Sequence, residues 1–397
     1  MTSRERINAS VAFRPVDRPP FDLIDEAGDL FSAGRYDPAM RLRLSYAEQV
    51  QARVAFHRKY RTDLIFDAPV LIPTRIRHRV RLTHEGKELS PGEPLLSSVS
   101  AMAWNAMPPR LIAPGLLPEA ARGMVTKHIE WPGGRRSEEA IDLATGTTDV
   151  LRPLSRCAED LLGNLGCLDG DLSRADYSHV RALRAAVGTD VMLSGTILDP
   201  LSAVGWYIGL QPLMYTLFDE SAKAQVACEA LTELAIRTGV DMVRHGLDMI
   251  RIGAATCCLL SPDLYRRFAL PCQKELIRAI RSAGGIVHLH LCGNVKHLLD
   301  ILPETGADIL ETITPPPLGD TTLREAKAAI GRRMCLKGNL SPTGALRNGT
   351  PEECLREARE CLAVGSEGGG FIFSVADNLA PGTPEENVAA VAEILHG

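Results

Sequence analysis

The segment HLHLCGN, residues 288–294, brings together side chains that can bind a metal ion or move a proton. The apolar residues around them predict a buried β-strand, and alternate residues of a strand share one face. His290 and Cys292 can therefore bind one ion without distortion of the backbone, and an imidazole–thiolate pair suits Zn²⁺ better than Mg²⁺. The same spacing also fits a core pair, in which His290 is hydrogen-bonded and Cys292 is a small apolar residue. Both interpretations stay open at this point.

The predicted elements that must position this pair are strands and helices that alternate regularly along the chain. Eight short apolar runs predict strands, and amphipathic segments with helical spacing separate most of them; the runs are 19–28, 62–69, 190–198, 248–255, 285–293, 307–313, 334–340 and 370–378. Eight alternating strand and helix units predict an α/β protein with a single (β/α)8 TIM barrel over residues 1–397. No GxGxxG follows the first run, which argues against a dinucleotide-binding sheet.

Residues 70–150 do not follow this alternation of strands and helices. RIRHRVRLTHEGKELS (75–90) alternates with period two around a glycine-containing turn, and HIEWPGGRRSEEAID (128–142) reads as a second polar hairpin or loop. We predict an inserted β-hairpin and loop region after strand 2, which is not a separate domain. Insertions that follow a barrel strand lie over the C-terminal face, so this one is expected to act as a lid or as a docking surface.

The carboxyl ends of barrel strands supply the functional side chains. The predicted ends carry Asp25 and Glu26, Asp67, Asp199, Cys257 and Cys258, His290 and Cys292, Glu311, Lys337 and Asn339, and Asp377 and Asn378. Neighbouring strands five and six, and the adjacency of first and last strands in a closed barrel, make convergence of His290, Cys292, Glu311 and Asp377 geometrically feasible.

Several polar residues of these segments have structural interpretations. His288 lies deeper in its strand and is expected to be a hydrogen-bonded core residue. Cys257 and Cys258 are adjacent and point to opposite sides, so at most one of them can face the site, and both are expected to be packing residues. Asp67 fits a substrate contact and a cap of the next element equally well. Thr383 and Glu386 have the spacing of a helical capping box.

Composition excludes several classes of function. The chain has 397 residues, of which 45% are hydrophobic, and 44 Lys and Arg against 49 Asp and Glu give a formal charge of −5. No basic block could track a phosphate backbone, so nucleic acid is not an expected partner. No apolar leader or membrane-length apolar window occurs, which predicts a cytoplasmic protein without membrane contact. Ten cysteines without CxxC spacing predict reduced thiols.

Six segments together resemble the uroporphyrinogen decarboxylase superfamily over nearly the whole chain. They are TSRERINASVAFRPVDRPPFD, LLSPDLYRRFALP, HLHLCGN, GADILETITPPPLGDTTLREAK, LKGNLSP and GGGFIFSVADNLAPGTPEENVAAV. The resemblance implies a barrel with a deep C-terminal cleft. True porphyrinogen decarboxylases carry an RQAGR-like segment that holds substrate carboxylates, whereas this chain has the acidic DEAGD at 25–29. The resemblance is therefore closer to the cobalamin-dependent methyltransferase branch.

That branch uses an H-x-C pair and a later cysteine to hold zinc. His290 and Cys292 match the pair, Asp377 stands where the later cysteine would fall, and Glu311 resembles an additional carboxylate ligand of related barrel methyltransferases. The resemblance implies a zinc-dependent methyltransferase that moves a methyl group between a corrinoid protein and a small acceptor or donor, with tetrahydrofolate as the suggested acceptor. Asp67, Glu311 and Asn378 are the expected catalytic or substrate-contacting residues.

Two other functions stay open on the sequence. A metal-independent decarboxylase or lyase for a non-porphyrin carboxylated substrate would use rim carboxylates such as Asp25 or Asp67 for acid/base work. A non-catalytic binding barrel is the third hypothesis. The sequence does not fix the oligomeric state, for which a homodimer is one option.

Overall fold

The structure, a computed structural model, describes residues 1–24, 46–76, 78–89, 95–97, 123–143, 148–380 and 382–396, with the backbone alone for Tyr46 and for 95–97. Asp25, Glu26 and the rest of the DEAGD segment lie outside the described residues. The strands of the described part are β1 Leu64–Ile65, β2 His78–His84, β3 Lys87–Glu88, β4 Leu95–Ser97, β5 Met124–Trp131, β6 Arg135–Asp142, β7 Thr148–Arg152, β8 Met192–Leu198, β9 Met249–Gly253, β10 Ile286–Leu291, β11 Ile309–Thr312, β12 Cys335–Leu340 and β13 Phe371–Val375.

Seven of these strands form one curled parallel sheet, in the order β1-β8-β9-β10-β11-β12-β13. This confirms the predicted α/β class and the parallel strand order, and the architecture resembles a TIM barrel. The first predicted strand differs, because in the described residues it is a single parallel bridge between Phe21 and Phe373 of β13. The carbonyl of Phe21 also accepts a hydrogen bond of 2.7 Å from the backbone N–H of Asp63, next to β1. This segment therefore touches both edges of the sheet.

Helices connect the parallel strands and cover the sheet. Those of the described residues are Ser3–Val11, Tyr46–Tyr60, Ala158–Gly163, Leu165–Leu168, Ser178–Val187, Pro200–Ile208, Leu210–Asp219, Ser221–Arg244, Pro262–Leu264, Leu270–Ser282, Leu323–Ile330, Ala345–Asn348, Pro351–Ser366 and Glu385–Glu393, with 3₁₀ turns at Leu172–Arg174, Ala255–Leu259, Lys296–Leu298 and Leu302–Thr305 and a π turn at Tyr265–Ala269. None of them has the length and apolar character needed to cross a membrane.

Local hydrogen bonds set where these helices begin. Capping boxes at Thr322 and Thr350 start two helices that follow parallel strands. The capping box predicted at Thr383 is wrong. The last described helix begins at Glu385 without a side-chain cap, and the Thr383 hydroxyl donates to the carbonyl of Ala380 at 2.7 Å. The Thr383 hydroxyl is bonded within a local turn and does not cap the helix.

The region after β1 is larger than the predicted hairpin and loop. It contains an antiparallel sheet in the order β3-β2-β5-β6-β7, with β4 paired to β2. Two tight turns at the expected glycines join β2 to β3 and β5 to β6, where Gly86, Gly133 and Gly134 have positive φ. Val80 and Ile129 lie buried on one face of this sheet, whereas Arg79 on the other face is exposed.

The parallel sheet is buried on both sides, as expected when helices cover one face and side chains fill the other. All residues of β8 and β13 are buried. Apolar side chains dominate this core, but it also encloses charged residues. Arg251, Glu311 and Lys337 lie on the three strands β9, β11 and β12 and are almost completely buried.

Candidate functional site

A fully buried carboxylate, that of Glu311, lies at the centre of the charged side chains inside the parallel sheet. Its Oε1 atom accepts a hydrogen bond of 2.8 Å from Nε of Arg251 and lies 2.9 Å from Nδ1 of His290. Its Oε2 atom accepts one of 2.8 Å from Nζ of Lys337 and lies 2.9 Å from Nδ1 of His288. The strand register explains the arrangement, since His290 and Lys337 both lie directly opposite Glu311 on the neighbouring strands.

The surrounding charges keep this carboxylate ionised. Burial alone would raise the pKa of Glu311, but Lys337 and Arg251 hold it well below its ordinary value. Lys337 also lies 2.5 Å from Oδ2 of Asp22, and these two carboxylates raise the pKa of Lys337 against the effect of burial. The Phe66 ring lies 5.0 Å from Nζ of Lys337 and 5.2 Å from Cζ of Arg251, within cation–π range. The network is therefore built from formal charges.

His288 is a structural member of this network. Its Nε2 atom lies 2.8 Å from the hydroxyl of Ser194, so a hydroxyl, an imidazole and the Glu311 carboxylate follow one another as in an acyl-transfer triad. Ser194 and His288 are both 0% exposed, which leaves no path for a substrate. Burial lowers the pKa of His288 to about 4 against the opposing effect of the hydrogen bond that the ring donates to Glu311, so the ring is neutral at pH 7. These contacts agree with the predicted core role.

His290 is one step nearer the carboxyl end of β10 and lies beside Cys292. Burial and the charge of Arg251 lower its pKa, but Cys292 and the hydrogen bond to Glu311 outweigh them and raise the pKa to about 9. The Nη2 atom of Arg251 lies 2.8 Å from the same Nδ1. With Nδ1 engaged, Nε2 is the ring atom that remains to bind a metal, and Cys292 is only partly buried.

The backbone next to Asp377 approaches the backbone next to Cys292. The hydroxyl of Thr314 accepts a hydrogen bond of 3.2 Å from the N–H of Gly293 and donates one of 3.4 Å to the carbonyl of Ala376. The Asp377 carboxylate itself accepts a hydrogen bond of 2.9 Å from the N–H of Asn378. One threonine thus joins the two turns that carry predicted ligands, although the carboxylate is engaged locally.

The four predicted ligands differ in how well they fit a metal. In the described part of the chain, no three His, Cys, Asp or Glu side chains are gathered into a metal site, and this includes His290, Cys292, Asp377 and Glu311. Both oxygens of Glu311 already bind cations and imidazoles, so its position suits the orientation of His290 better than direct ligation. His290 and Cys292 offer one nitrogen and one sulfur donor, and one oxygen of Asp377 accepts a hydrogen bond from the N–H of Asn378.

The two predicted substrate contacts lie near the same ends. Asp67 follows β1, is 2% exposed and has a positive φ of 53°, and its carbonyl accepts a hydrogen bond of 3.2 Å from Arg53. Asn378 has a buried Oδ1 atom without a hydrogen-bond partner among the described residues. An unpaired buried amide oxygen is costly in a folded protein, which makes it a reasonable acceptor for a substrate group.

Other strand-end residues have structural roles. Asp199 is fully buried, caps the helix Pro200–Ile208 through the N–H of Ser202 at 2.9 Å and accepts hydrogen bonds from Gln273 and Cys257. Its pKa is raised, first of all by burial. Cys257 is thereby confirmed as a packing residue, whereas Cys258 is only partly buried.

Sequence reasoning missed Arg251, and it named Lys337 without a role. Arg251 interrupts the apolar run DMIRIGAA and Lys337 the run MCLKGNL. A cation in the middle of a run predicted to be a buried strand has to find an anion, which is a signal for an internal ion pair. The third missed residue is Asp22 in PPFDLI. It is an anion in a predicted strand and, by the same reasoning, requires a buried cation.

Comparison with known proteins identifies the family. Residues 173–397, more than half of the chain, match the family described as Uroporphyrinogen decarboxylase (URO-D). The chain belongs to the uroporphyrinogen decarboxylase family. Among curated members and relatives, it is 30% identical over 214 residues to a methylcobamide:CoM methyltransferase MtaA of Methanosarcina barkeri, covering 53% of this chain and 60% of the relative. It is also 30% identical over 192 residues to the uroporphyrinogen decarboxylase of Thermus thermophilus, covering 48% and 52%.

The URO-D family thus relates this chain to methyltransferases and decarboxylases at similar identity, and the chain spans about half to three fifths of the length of these relatives. A solved structure titled as a methyltransferase from Methanosarcina mazei matches with a TM-score of 0.65 and 18% identity, and covers 100% of both chains. This likeness shows a shared fold.

Proposed function

We propose that this URO-D family protein is a methyltransferase that moves a methyl group between a corrinoid carried by a partner protein and a small acceptor or donor. The observation that carries the proposal is the pair of His290 and Cys292, with the carboxylate of Glu311 at the second imidazole nitrogen. A carboxylate behind a metal-binding histidine is the usual arrangement in protein metal sites. The MtaA relative, named for methylcobamide and CoM, supports the reaction class.

The metal ion of this proposal is zinc, held by His290 and Cys292 with Asp377 as the third protein ligand. Zinc, when bound, would lower the pKa of a thiol or polarise another small methyl acceptor or donor, including the suggested tetrahydrofolate. Thr314 joins the Asp377 turn to the Cys292 turn, which supports Asp377 as the third ligand.

The remaining residues of the network prepare this site. Glu311 keeps a proton on Nδ1 of His290, so a metal that displaces the other ring proton would bind the lone pair of Nε2. Arg251 and Lys337 keep Glu311 ionised, and Phe66 screens both cations from water. Asp67 and Asn378 contact the substrate in this proposal, and the unpaired Oδ1 of Asn378 supports its role.

We also propose that the chain forms a closed eight-stranded barrel with the antiparallel sheet over its C-terminal face. The bridge at Phe21 and its hydrogen bond to Asp63 support closure. Contacts with the helix Pro200–Ile208, which starts at the carboxyl end of β8, support the position of the sheet. The carbonyl of Tyr207 accepts a hydrogen bond of 2.9 Å from Ser155, and the charge of Glu139 on β6 contributes to raising the Tyr207 pKa after burial.

Elemental analysis of the purified protein tests the metal site. We expect about one zinc per chain in the wild type and loss of zinc in Cys292→Ala. Cys157→Ala, a partly buried cysteine before the helix Ala158–Gly163, is the matched control and should keep its zinc. A wild-type protein that binds no zinc, even after addition of the metal, would contradict the mechanism and leave the fold unchanged.

The second candidate function is a metal-independent decarboxylase or lyase for a non-porphyrin carboxylated substrate, favoured by the similarity to the Thermus thermophilus decarboxylase. It predicts turnover that survives strong chelators and fails in Asp67→Asn. The methyltransferase predicts that chelators abolish turnover, so the response to chelators distinguishes the two functions.

A further inference from the structure

The helix Leu210–Asp219 is apolar on two opposite sides. Its sequence, LQPLMYTLFD, has no charged residue before the last position. Leu213 and Leu217 face the core and are almost completely buried, and a Cβ atom built onto Gly205 of the preceding helix would lie 3.0 Å from Cδ2 of Leu213. A surface helix normally carries charged and polar residues on the side away from the core, whereas a helix that is apolar all round is covered on both sides.

The side of this helix that faces away from the core carries large exposed side chains. Phe218 is 70% exposed, Tyr215 60% and Leu210 47%, and the first two are the most exposed large hydrophobic residues of the described part of the chain. At 3.6 residues per turn, the three fall within an arc of about 140° around the helix axis. The hydroxyl of Tyr215 accepts a hydrogen bond of 3.2 Å from Nε2 of Gln211, which holds the ring along the helix. Leu210, Tyr215 and Phe218 therefore form one apolar patch.

The size of this patch suits the centre of a protein–protein contact. An aromatic side chain buries about 150–250 Å², so covering the exposed parts of these three residues would remove roughly 300 Å² per chain from water. That is more than a third of the ~800 Å² that each partner of a standard interface buries. Aromatic residues are also enriched at the centre of interfaces, where charged residues are depleted. Polar residues around the patch would supply the rest of the area.

We propose that this patch binds a second copy of the chain, in a two-fold dimer in which the two Leu210–Asp219 helices run antiparallel. A two-fold contact brings the same surface together from both chains, so the surface has to be compatible with itself. An apolar patch without charges meets this requirement, whereas a charged patch would repel its own copy. The inference is independent of the proposed function.

The charges at the two ends of the helix fit the antiparallel arrangement. The helix follows Gly209, which offers no side chain to cap the first N–H groups, so the positive end of the helix dipole is not compensated by a cap. Asp219 at the other end is exposed. Antiparallel pairing places this carboxylate beside the first turn of the partner helix, where an anion is stabilised. The same carboxylate disfavours an anionic lipid surface, which binds helices that carry Lys and Arg.

Analytical ultracentrifugation of the full chain tests the dimer. The wild type should sediment with twice the mass of one chain at micromolar concentration. Phe218→Asp should raise the dissociation constant at least ~10-fold, since the loss of an aromatic anchor at the centre of an interface costs this much or more. Leu151→Asp is the matched control and should stay dimeric, because Leu151 is 58% exposed but lies on β7 of the antiparallel sheet. A monomeric wild type, or equal dissociation of the two variants, would overturn the inference.

Hydroxyl-radical footprinting of the unaltered chain identifies the covered surface without any substitution. Tyr215 and Phe218 should be oxidised more slowly above the dissociation constant than below it, and Leu151 at the same rate in both. A dimer that leaves Tyr215 and Phe218 unprotected would place the contact elsewhere and overturn the inference. Sedimentation with vesicles of phosphatidylcholine and phosphatidylglycerol tests a membrane as the occupant. A monomer that binds these vesicles, and loses them in Phe218→Asp, would also overturn it.

Discussion

Glu311 illustrates how one buried carboxylate can organise several side chains. It compensates Arg251 and Lys337 and fixes the orientation of His288 and His290. Buried ion pairs of this kind are weak evidence for stability, because the cost of removing the charges from water is large. Their value here lies in geometry, since an imidazole without a fixed partner could not present the same nitrogen to a ligand each time.

Replacement of Glu311 by glutamine should be costly in two respects. Arg251 and Lys337 lose their shared anion while they stay buried, so the free energy of unfolding should fall by about 3–5 kcal/mol. Zinc affinity should also fall by about 10-fold to 100-fold, because His290 loses the carboxylate at Nδ1. Denaturant unfolding and chelator competition measure the two effects.

The matched control for this substitution is Glu304→Gln. Glu304 also pairs with an arginine, Arg266, at 2.6 Å, but both side chains are exposed, so the expected loss is below about 1 kcal/mol. Equal losses in the two variants would show that the buried network has no special cost.

At the scale of residues, the sequence pointed to candidate metal-donor side chains but not to the charged residues that surround them. The H-x-C spacing is local and readable, and His288 lies buried and hydrogen-bonded as predicted, whereas the metal-binding role of His290 and Cys292 stays a prediction. Arg251 escaped because its partner Glu311 lies 60 residues away in the chain and meets it only when β9, β10 and β11 lie side by side. The proposed roles of Asp377 and Glu311 as ligands remain predictions of the resemblance.

At the scale of elements, periodicity located the parallel strands well. Each predicted run from 190 onward overlaps an observed strand, because buried parallel strands are continuous apolar runs whose pattern does not depend on their partners. The antiparallel sheet was underestimated, since its hairpins are local but the pairing of β2 with β5 joins distant segments. At Thr383, the hydroxyl forms a local turn with Ala380 in place of the predicted helix cap.

His78 on β2 gives the antiparallel sheet a pH dependence. Its ring packs against Trp131 at a centroid distance of 4.3 Å and a tilt of 32°, and burial followed by the charge of Lys127 lowers its pKa to about 4. A folded-state pKa below the ordinary value of about 6.5 means that the unfolded chain binds the proton first. Stability should therefore be complete above pH 6.5 and fall by up to about 3 kcal/mol as the pH drops to 4.

Unfolding of the wild type and of His78→Gln between pH 4 and 7 measures this effect. The variant should be less stable at pH 7, where the packed neutral ring is lost, and should lose less stability on acidification. An identical slope in both proteins would rule out His78 as the source of the dependence.

At the scale of the whole molecule, the N-terminal segment ties the two edges of the parallel sheet together. Asp63, at 0% exposure, accepts hydrogen bonds from Arg6 at 3.1 Å, from Arg18 at 2.6 Å and from the N–H of Phe21 at 2.7 Å. Among the described residues of the first predicted run, the bridge at Phe21 and these hydrogen bonds connect it to the sheet.

Asp63→Ala should therefore destabilise the chain by about 3–5 kcal/mol, since two arginines lose a buried anion at the point where the sheet edges meet. Asp17→Ala is the control. Asp17 also binds Arg6, at 2.7 Å, but its side chain is 42% exposed, and the expected loss is below about 1 kcal/mol. Thermal and denaturant unfolding compare the two, and a similar small loss in both would contradict the role of Asp63.

The pairing of Phe21 with Phe373 has a consequence for the way the chain is made. During synthesis the N-terminal segment emerges first, and ribosomes add about 5–20 residues per second. The partner strand β13 begins only at Phe371, so the segment spends most of that time without it. Until then β12 has an unpaired edge that can bind other chains. Nascent chains arrested before β13 should therefore be the species that chaperones hold longest.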